Sequence, residues 1–191
     1  MGREFELKFA ASAEILQKIQ ADFGNFTAIA METTYYDTPD GALSARRITL
    51  RRRMENGRSV CTLKTPAPGR GRGEWEVEAD SIASAVDRLW AAARPDGLDC
   101  PDASRLHAVC GARFTRLAKT IPAAGCTVEL ALDRGVLTGG GRETPLCEVE
   151  AELKSGGEAA AAAWAEALAE KYGLRPEPKS KFRRALALAE G

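Results

Sequence analysis

Residues 4 to 9 read Glu-Phe-Glu-Leu-Lys-Phe, and this strict alternation of charged and apolar side chains constrains the chain more than any other feature. In an extended strand successive side chains point to opposite faces. Glu4, Glu6 and Lys8 therefore share one face, and Phe5, Leu7 and Phe9 the other. The pattern returns downstream. Arg72 to Asp80 sets Glu74, Glu76 and Glu78 opposite Trp75 and Val77, and Leu146 to Leu153 sets Glu148, Glu150 and Glu152 opposite Cys147, Val149, Ala151 and Leu153. Cations alternate in the same way. Ile48 to Glu55 puts Thr49, Arg51 and Arg53 on one face, and Arg58 to Thr65 puts Thr62 and Lys64 opposite Cys61 and Leu63. Asn56-Gly57 between these two runs is a strong hairpin signal.

Further strands are expected over 31–38, 114–121 and 126–133, giving about eight in all. Helices are expected over 12–22 with Ser12 as cap, from Ser81 to about Ala93, over 103–110, over 158–172 and over 178–189. Gly139-Gly140-Gly141 reads as a turn, and the Gly69-x-Gly71-x-Gly73 stretch as a hairpin loop.

One such strand alone is most simply half-buried with its charges in water. The whole set argues otherwise. The charges are sorted by strand, carboxylates on 4–6, 74–78 and 148–152 and cations on 51–53, 64 and 116–119, and amphipathic helices cover apolar sheet faces, not charged ones. With helices outside, the charged faces turn inward. Ten or more unpaired ions in a dry core would exceed a domain's whole stability of roughly 5–15 kcal/mol, so the interior must be wet and hold a ligand that neutralises its cations. Clustered carboxylates want a hard cation, and magnesium binds through one or two carboxylates plus substrate phosphates. Arg and Lys suit phosphate oxygens. The combination points to a metal–polyphosphate complex.

Bulk properties agree and exclude alternatives. A chain of 191 residues, 45% hydrophobic and 28% charged, is sized for one domain over 1–191. Lys plus Arg and Asp plus Glu are 27 each, so global charge gives no case for nucleic acid or membrane binding. No apolar run is long enough to span a bilayer and no signal pattern opens the chain, which predicts a cytoplasmic protein. Five scattered cysteines form no CxxC pair, and His107 is the only histidine, so neither a zinc site nor a Ser-His-Asp triad is favoured.

The ordered motifs resemble those of the CYTH superfamily, the triphosphate tunnel metalloenzymes. Glu4-x-Glu6-x-Lys8 resembles its N-terminal signature. Tyr35-Tyr36-Asp37-Thr38, Leu50-Arg51-Arg52-Arg53, Thr62-Leu63-Lys64, Glu74-x-Glu76-x-Glu78, Val128 to Gly135, Glu148 to Leu153 and Ser180-Lys181-Phe182 follow in the same order across nearly the whole chain. The resemblance implies an α+β fold, an eight-stranded antiparallel β-barrel forming a tunnel with flanking α-helices. It implies hydrolysis of a triphosphate, usually inorganic tripolyphosphate, with magnesium or manganese as cofactor. Carried over by position, Glu4, Glu6, Glu148 and Glu150 would hold the metal, and Lys8, Arg51, Arg53, Lys64, Arg116, Lys119 and Lys181 would bind phosphates. Glu4, Glu6, Lys8 and Glu76 form the expected catalytic set, with Glu78, Glu129 and Asp133 lining the tunnel. Arg116 and Lys119 have opposite strand parity, so without a bulge only one can point inward. The expected partner is a small-molecule triphosphate, without nucleic acid or membrane, and a homodimer stays open. Class IV adenylate cyclase, thiamine triphosphatase and a non-catalytic polyphosphate- or nucleotide-binding module remain alternatives on the same scaffold. The cyclase-type N-terminus usually puts a His-Phe ahead of its Glu-Leu-Lys; here Phe5 precedes Glu6-Leu7-Lys8 but the His is lacking, and no all-helical phosphate-binding domain is expected after the last helix.

Overall fold

The computed structural model describes residues 2–66 and 72–190, with side chains from Phe5 onward. Side-chain roles expected of Glu4, and the Gly69-x-Gly71 loop, lie outside the described residues.

All strands join one antiparallel sheet. They are β1 (Gly2–Glu4), β2 (Glu6–Ala10), β3 (Thr27–Asp37), β4 (Thr49–Glu55), β5 (Arg58–Pro66), β6 (Arg72–Glu78), β7 (His107–Ala123), β8 (Cys126–Gly139), β9 (Arg142–Gly156) and the two-residue β10 (Arg175–Pro176). Their hydrogen-bonded order is β1-β6-β5-β4-β3-β7-β8-β9-β2-β10. Among the described residues the expected count of eight becomes ten, because the N-terminal segment breaks at Phe5 and β10 adds to the edge of β2. The hydrogen-bonded ladder is open, with β1 and β10 at its ends, yet β1 and β2 are one stretch of chain with only Phe5 between them. This stretch pairs with β6 through Gly2–Glu4 and with β9 through Glu6–Ala10.

Two-residue turns set the lengths of the hairpins. Asn56 and Gly57 (φ 49° and 88°) join β4 to β5, and Gly140 and Gly141 (φ 57° and 73°) join β8 to β9. Both turns take the left-handed backbone whose twist matches that of paired strands. Tight turns let pairing run to the strand ends, so β7, β8 and β9 reach 17, 14 and 15 residues, longer than their periodicity predicts.

The helices cover the apolar face. α1 (Ala13–Phe23) and α4 (Glu158–Tyr172) bury Leu16, Ile19, Ala165, Leu168 and Tyr172 against Phe9, Leu130, Leu132 and Val149. α2 (Ala42–Ala45) and α3 (Val86–Ala93) bury Leu43, Val86, Leu89 and Trp90 against Leu50, Cys61 and Leu63. Phe5 lies under α4 beside Val128 and Ala161. Trp75 packs against the α3 cluster. The alternating apolar residues thus face outward beneath helices, and the charged rows face inward. Among the described residues no helix is long and apolar enough to cross a membrane.

Three local expectations are corrected. The helix over 103–110 is a 3₁₀ turn over Ala103–Arg105, because His107 onward is taken into β7. Backbone groups of Tyr36 and Asp37 need a strand partner there, and Ala108 and His107 supply it across a bulge at Tyr35/Tyr36. β3 begins at Thr27, not 31, since Thr27 to Ala30 pair with β7. α3 begins at Val86: Ser81 Oγ still accepts from Ser84 N at 3.2 Å, but residues 82–85 form turns before the regular helix.

α5 (Lys181–Glu190) does not lie on the outer surface. Phe182 and Ala185 join an apolar cluster with Met31, Tyr35, Ala112, Phe114, Leu137 and Leu146, all inward-facing by strand parity. The inner face is therefore apolar toward one end, and α5 covers that end against β7, β8 and β9.

Candidate active site

The sheet curls far enough that residues from β2 to β9 line one cavity of about 340 Å³. The inward rows decide its lining. β4 and β5 contribute Thr49, Arg51, Arg53 and Lys64, and β6 contributes Arg72, Glu74 and Glu76. β2 contributes Glu6 and Lys8, β8 Glu129, and β9 Glu150, Glu152 and Lys154. Arg116 enters from β7 and Lys181 from the first turn of α5.

One wall is cation-rich. Arg51 pairs with Glu74 at 3.5 Å and reaches Glu76 at 3.9 Å, while Lys64 pairs with Glu74 at 3.2 Å. Arg53 Nε donates to Thr33 Oγ1 at 3.2 Å, and its guanidinium is 3.6 Å from Glu55. Burial first, then the nearby Arg51 and Arg116, push the Arg53 guanidinium down to about 10. Glu76 accepts from Thr62 Oγ1 at 3.0 Å.

The facing wall is acidic at one level. Glu6 is register-paired with Glu152, and Glu152 with Glu129. Lys154 bridges Glu152 (2.9 Å) and Glu129 (3.6 Å), and Lys8 lies 3.7 Å from Glu6.

Deeper, beneath α5, is a buried ionic centre. Arg116 donates through Nε to Asp133 Oδ1 (2.8 Å) and through Nη2 to Asp133 Oδ2 (2.7 Å), a bidentate pair, and also to Glu150. Lys181 Nζ lies 2.8 Å from Asp133 Oδ2 and 2.6 Å from Glu150 Oε1, and contacts Glu148 Oε1. Arg184 holds the other Glu148 oxygen. Asp133 and Glu148 are fully buried. Burial, opposed by Lys181 and reinforced by Glu150, raises the Glu148 carboxyl. Burial acts on Glu150 too, but Lys181 and Arg116 together overcome it and hold that carboxyl well below its usual range. Arg116 and Lys181 are held charged by the same carboxylates despite burial.

The expected site residues are largely brought together, with three departures. Of the opposite-parity pair, Arg116 faces in; Lys119 Nζ instead donates to the carbonyls of Phe23 (2.5 Å) and Gly24 (2.9 Å) at the end of α1, away from the cavity. Glu78 shares the parity of Glu74 and Glu76 but lies past the cavity, exposed and paired with Arg58. The carboxylates expected to hold the metal sit at different levels. Lys8 is register-paired with Glu150 and Ala10 with Glu148, so Glu6 lies two residues from the Glu150 level and four from that of Glu148. Four strand residues span about 13 Å, so Glu6 and Glu148 belong to separate clusters. Sequence reasoning left out Arg184 and Lys154 as site residues, and set Arg72 aside as part of a hairpin loop rather than a phosphate cradle. Arg184 falls three positions after Lys181, on the same helix face, which is the signal that could have found it. Arg72 donates to Thr49 Oγ1 at 3.2 Å and Lys64 O at 3.1 Å.

Hard, all-oxygen donor sets fit magnesium or manganese. Among the described residues, Asp133, Glu148 and Glu150 offer three carboxylate oxygens within 4.8 Å of one another. The Lys181 ammonium among them is a cation standing in at that point. The trio therefore fits a divalent ion by donor type and by the convergence of its oxygens, its charge being matched here by Lys181, Arg116 and Arg184.

Fold and cavity together define an α+β protein with a charged cavity held inside a helix-covered antiparallel sheet. The chain belongs to the CYTH domain family, whose model matches residues 2–186. It is 28% identical over 165 residues to an inorganic triphosphatase of Haemophilus influenzae, a match covering 82% of this chain and 46% of that protein. The chain thus spans about half the length of that relative. Among solved structures, an adenylyl cyclase candidate of Hippeastrum with a dominant triphosphatase activity superimposes with a TM-score of 0.74 at 19% identity, over 98% of this chain and 97% of that one. An adenylate cyclase candidate of Bacillus halodurans gives 0.69 at 20% identity, over 94% and 96%. These two likenesses concern the fold.

Proposed function

We propose that the protein is a divalent-metal-dependent triphosphatase that hydrolyses inorganic tripolyphosphate. The observation carrying this reading is the opposition of Arg51, Arg53 and Lys64 on one wall to the carboxylates of Glu6, Glu129 and Glu152 on the other, inside one cavity. Cations that crowd one another, as Arg53 is crowded by Arg51 and Arg116, are relieved by a polyanion. The likeness to a named inorganic triphosphatase supports the same choice of substrate.

The roles follow from the chemistry of the side chains. Arg51, Arg53 and Lys64 bind and orient the phosphate chain, Arg through its planar fork. Lys8 and Lys181 add point charges, and Arg116 stabilises charge gathered on the transferring phosphoryl group. Magnesium or manganese, held by the cavity's carboxylates, supplies neutralisation of phosphate oxygens and polarisation of water. Glu76, kept in place by Thr62, accepts the attacking water's proton.

The test is product analysis after incubation with tripolyphosphate, ATP and thiamine triphosphate, each with magnesium, manganese or chelator. Orthophosphate from tripolyphosphate, lost with chelator, is the expected result. Cyclic AMP with pyrophosphate from ATP, or tight binding with no turnover, overturns it.

A further inference from the structure

Lys181 stands where a cation is called for. Its Nζ touches Asp133, Glu148 and Glu150, the three carboxylates whose oxygens converge within 4.8 Å. With all three carboxyls ionised, and with Arg116 and Arg184, the centre sets three negative groups against three positive ones. A buried centre so balanced has no charge left for a divalent ion to neutralise. Such an ion can enter only by replacing a resident cation.

The three cations differ in how readily they leave. Arg116 is locked by a two-point bond to Asp133 and a third contact to Glu150. Arg184 approaches Glu148 on its other oxygen and also lies 3.7 Å from Glu177. Lys181 carries one ammonium on a flexible four-carbon stem, and its side chain already lines the cavity. Its release requires only rotation about that stem, not a break in the backbone of α5.

We propose that Lys181 is an internal competitor for the divalent cation: it fills the carboxylate trio in the metal-free protein and turns into the cavity when metal takes its place. The inference rests on the metal-dependent reading above and adds the order of events. Replacing one charge by two, while the displaced ammonium joins the cavity, leaves the cavity two positive charges richer. Metal and triphosphate should then strengthen each other's binding, as linkage requires.

The test uses the full chain and the metal alone, without phosphate. In a calorimetric titration with Mn²⁺, Lys181→Met is expected to bind roughly tenfold or more tightly than the wild type, since a competing charge at contact distance is removed. Equal or weaker binding, or no binding by either protein, overturns the exchange. A second measurement, independent of that variant's folding, uses the wild type with ¹⁵N-lysine. The Lys181 Nζ signal, identified by its absence in Lys181→Arg, should exchange slowly in metal-free protein and shift or vanish on titration with Mg²⁺. A signal unmoved by saturating Mg²⁺ overturns the exchange. Metal-dependent hydrolysis with an unmoved Lys181 sinks the exchange alone, whereas exchange without hydrolysis sinks the triphosphatase reading alone.

Discussion

Arg116 and Lys119, three residues apart on β7, end on opposite sides of the sheet: the Arg116 guanidinium chelates Asp133 in the buried centre, and the Lys119 ammonium caps α1 through the carbonyls of Phe23 and Gly24. Both are cations in one short run, and only the alternation of a strand separates their fates. Arg116→Ala leaves two carboxylates partly uncompensated in the interior, and is expected to cost about 3–5 kcal/mol in urea unfolding together with most of the hydrolytic rate. Lys119→Ala removes an exchangeable cap worth about 1 kcal/mol. It should leave orthophosphate release from tripolyphosphate nearly unchanged. A folded Lys119→Ala protein that has lost the reaction would put Lys119 back among the phosphate ligands.

Arg53 supplies a prediction about binding. It is buried, tied to Thr33 Oγ1, and pushed down to about 10 by burial and by Arg51 and Arg116. A triphosphate removes that repulsion and accepts charge-assisted hydrogen bonds worth about 1.5–3 kcal/mol. Arg53→Met should therefore weaken tripolyphosphate binding by roughly 10- to 100-fold, measured calorimetrically. It should stabilise or leave unchanged the ligand-free fold, because the substitution relieves Arg–Arg crowding. A variant with undiminished affinity would take Arg53 off the binding wall.

Much of this arrangement is written in the alternation itself. Phe5, Leu7 and Trp75 pack outside while Glu6, Lys8, Glu74 and Glu150 face the cavity, as period-two patterning with helices on the apolar face requires. Parity alone could not separate Arg116 from Lys119; it could say only that one of them points in. Depth was hidden for a different reason. Glu74, Glu76 and Glu78 look equivalent in sequence, and only the register that ends β5 and β6 puts Glu78 outside. Register likewise divides Glu6 from Glu148, because which residues stand level is fixed by hairpin turns far from either. The helix expected over 103–110 failed because apolar residues at 103, 106, 109 and 110 suit a helix by spacing, while β3 offers unpaired backbone that only a strand can satisfy. The covering of the inner face by α5 was not legible, since an amphipathic helix carries no mark of which side of a sheet it will meet.

The paired carboxylates give a pH prediction with opposing signs. Glu148 is raised to about 7, chiefly by burial, so the folded state prefers it protonated. Its contribution grows as pH falls from about 7 toward its ordinary value of 4.5 and weakens stability above that window. Glu150 is depressed by Lys181 and Arg116 against burial, so its contribution is present above 4.5 and is lost as pH falls further. Thermal stability should therefore peak on the weakly acidic side, near pH 5, and decline toward pH 8. Glu148→Gln is expected to flatten the limb above pH 5 while keeping the acid limb. An unchanged slope between pH 5 and 8 in that variant would remove Glu148 as the source.

Gly139 tests whether the seat of α5 matters for the buried centre. A Cβ at this position would overlap the Ala185 carbonyl oxygen and would stand 3.1 Å from Ala189 N and 3.2 Å from Leu188 Cβ. These are backbone and packed atoms of α5, not the ends of flexible side chains, so Gly139→Ala must move the helix or the β8–β9 hairpin. Overpacking of this kind costs about 1–3 kcal/mol. Lys181 and Arg184 lie on the same helix and meet Glu148 and Glu150 only while it is seated. The variant should lose hydrolytic rate well beyond its loss of stability, and amides of residues 181–190 should exchange with solvent faster than those of β7 to β9. Gly141→Ala is the matched control, since no atom lies within 4 Å of the added Cβ there and the strain is confined to the turn. If Gly139→Ala kept full activity with α5 loosened, Lys181 would not need its helix in place, and the buried centre would be structural alone.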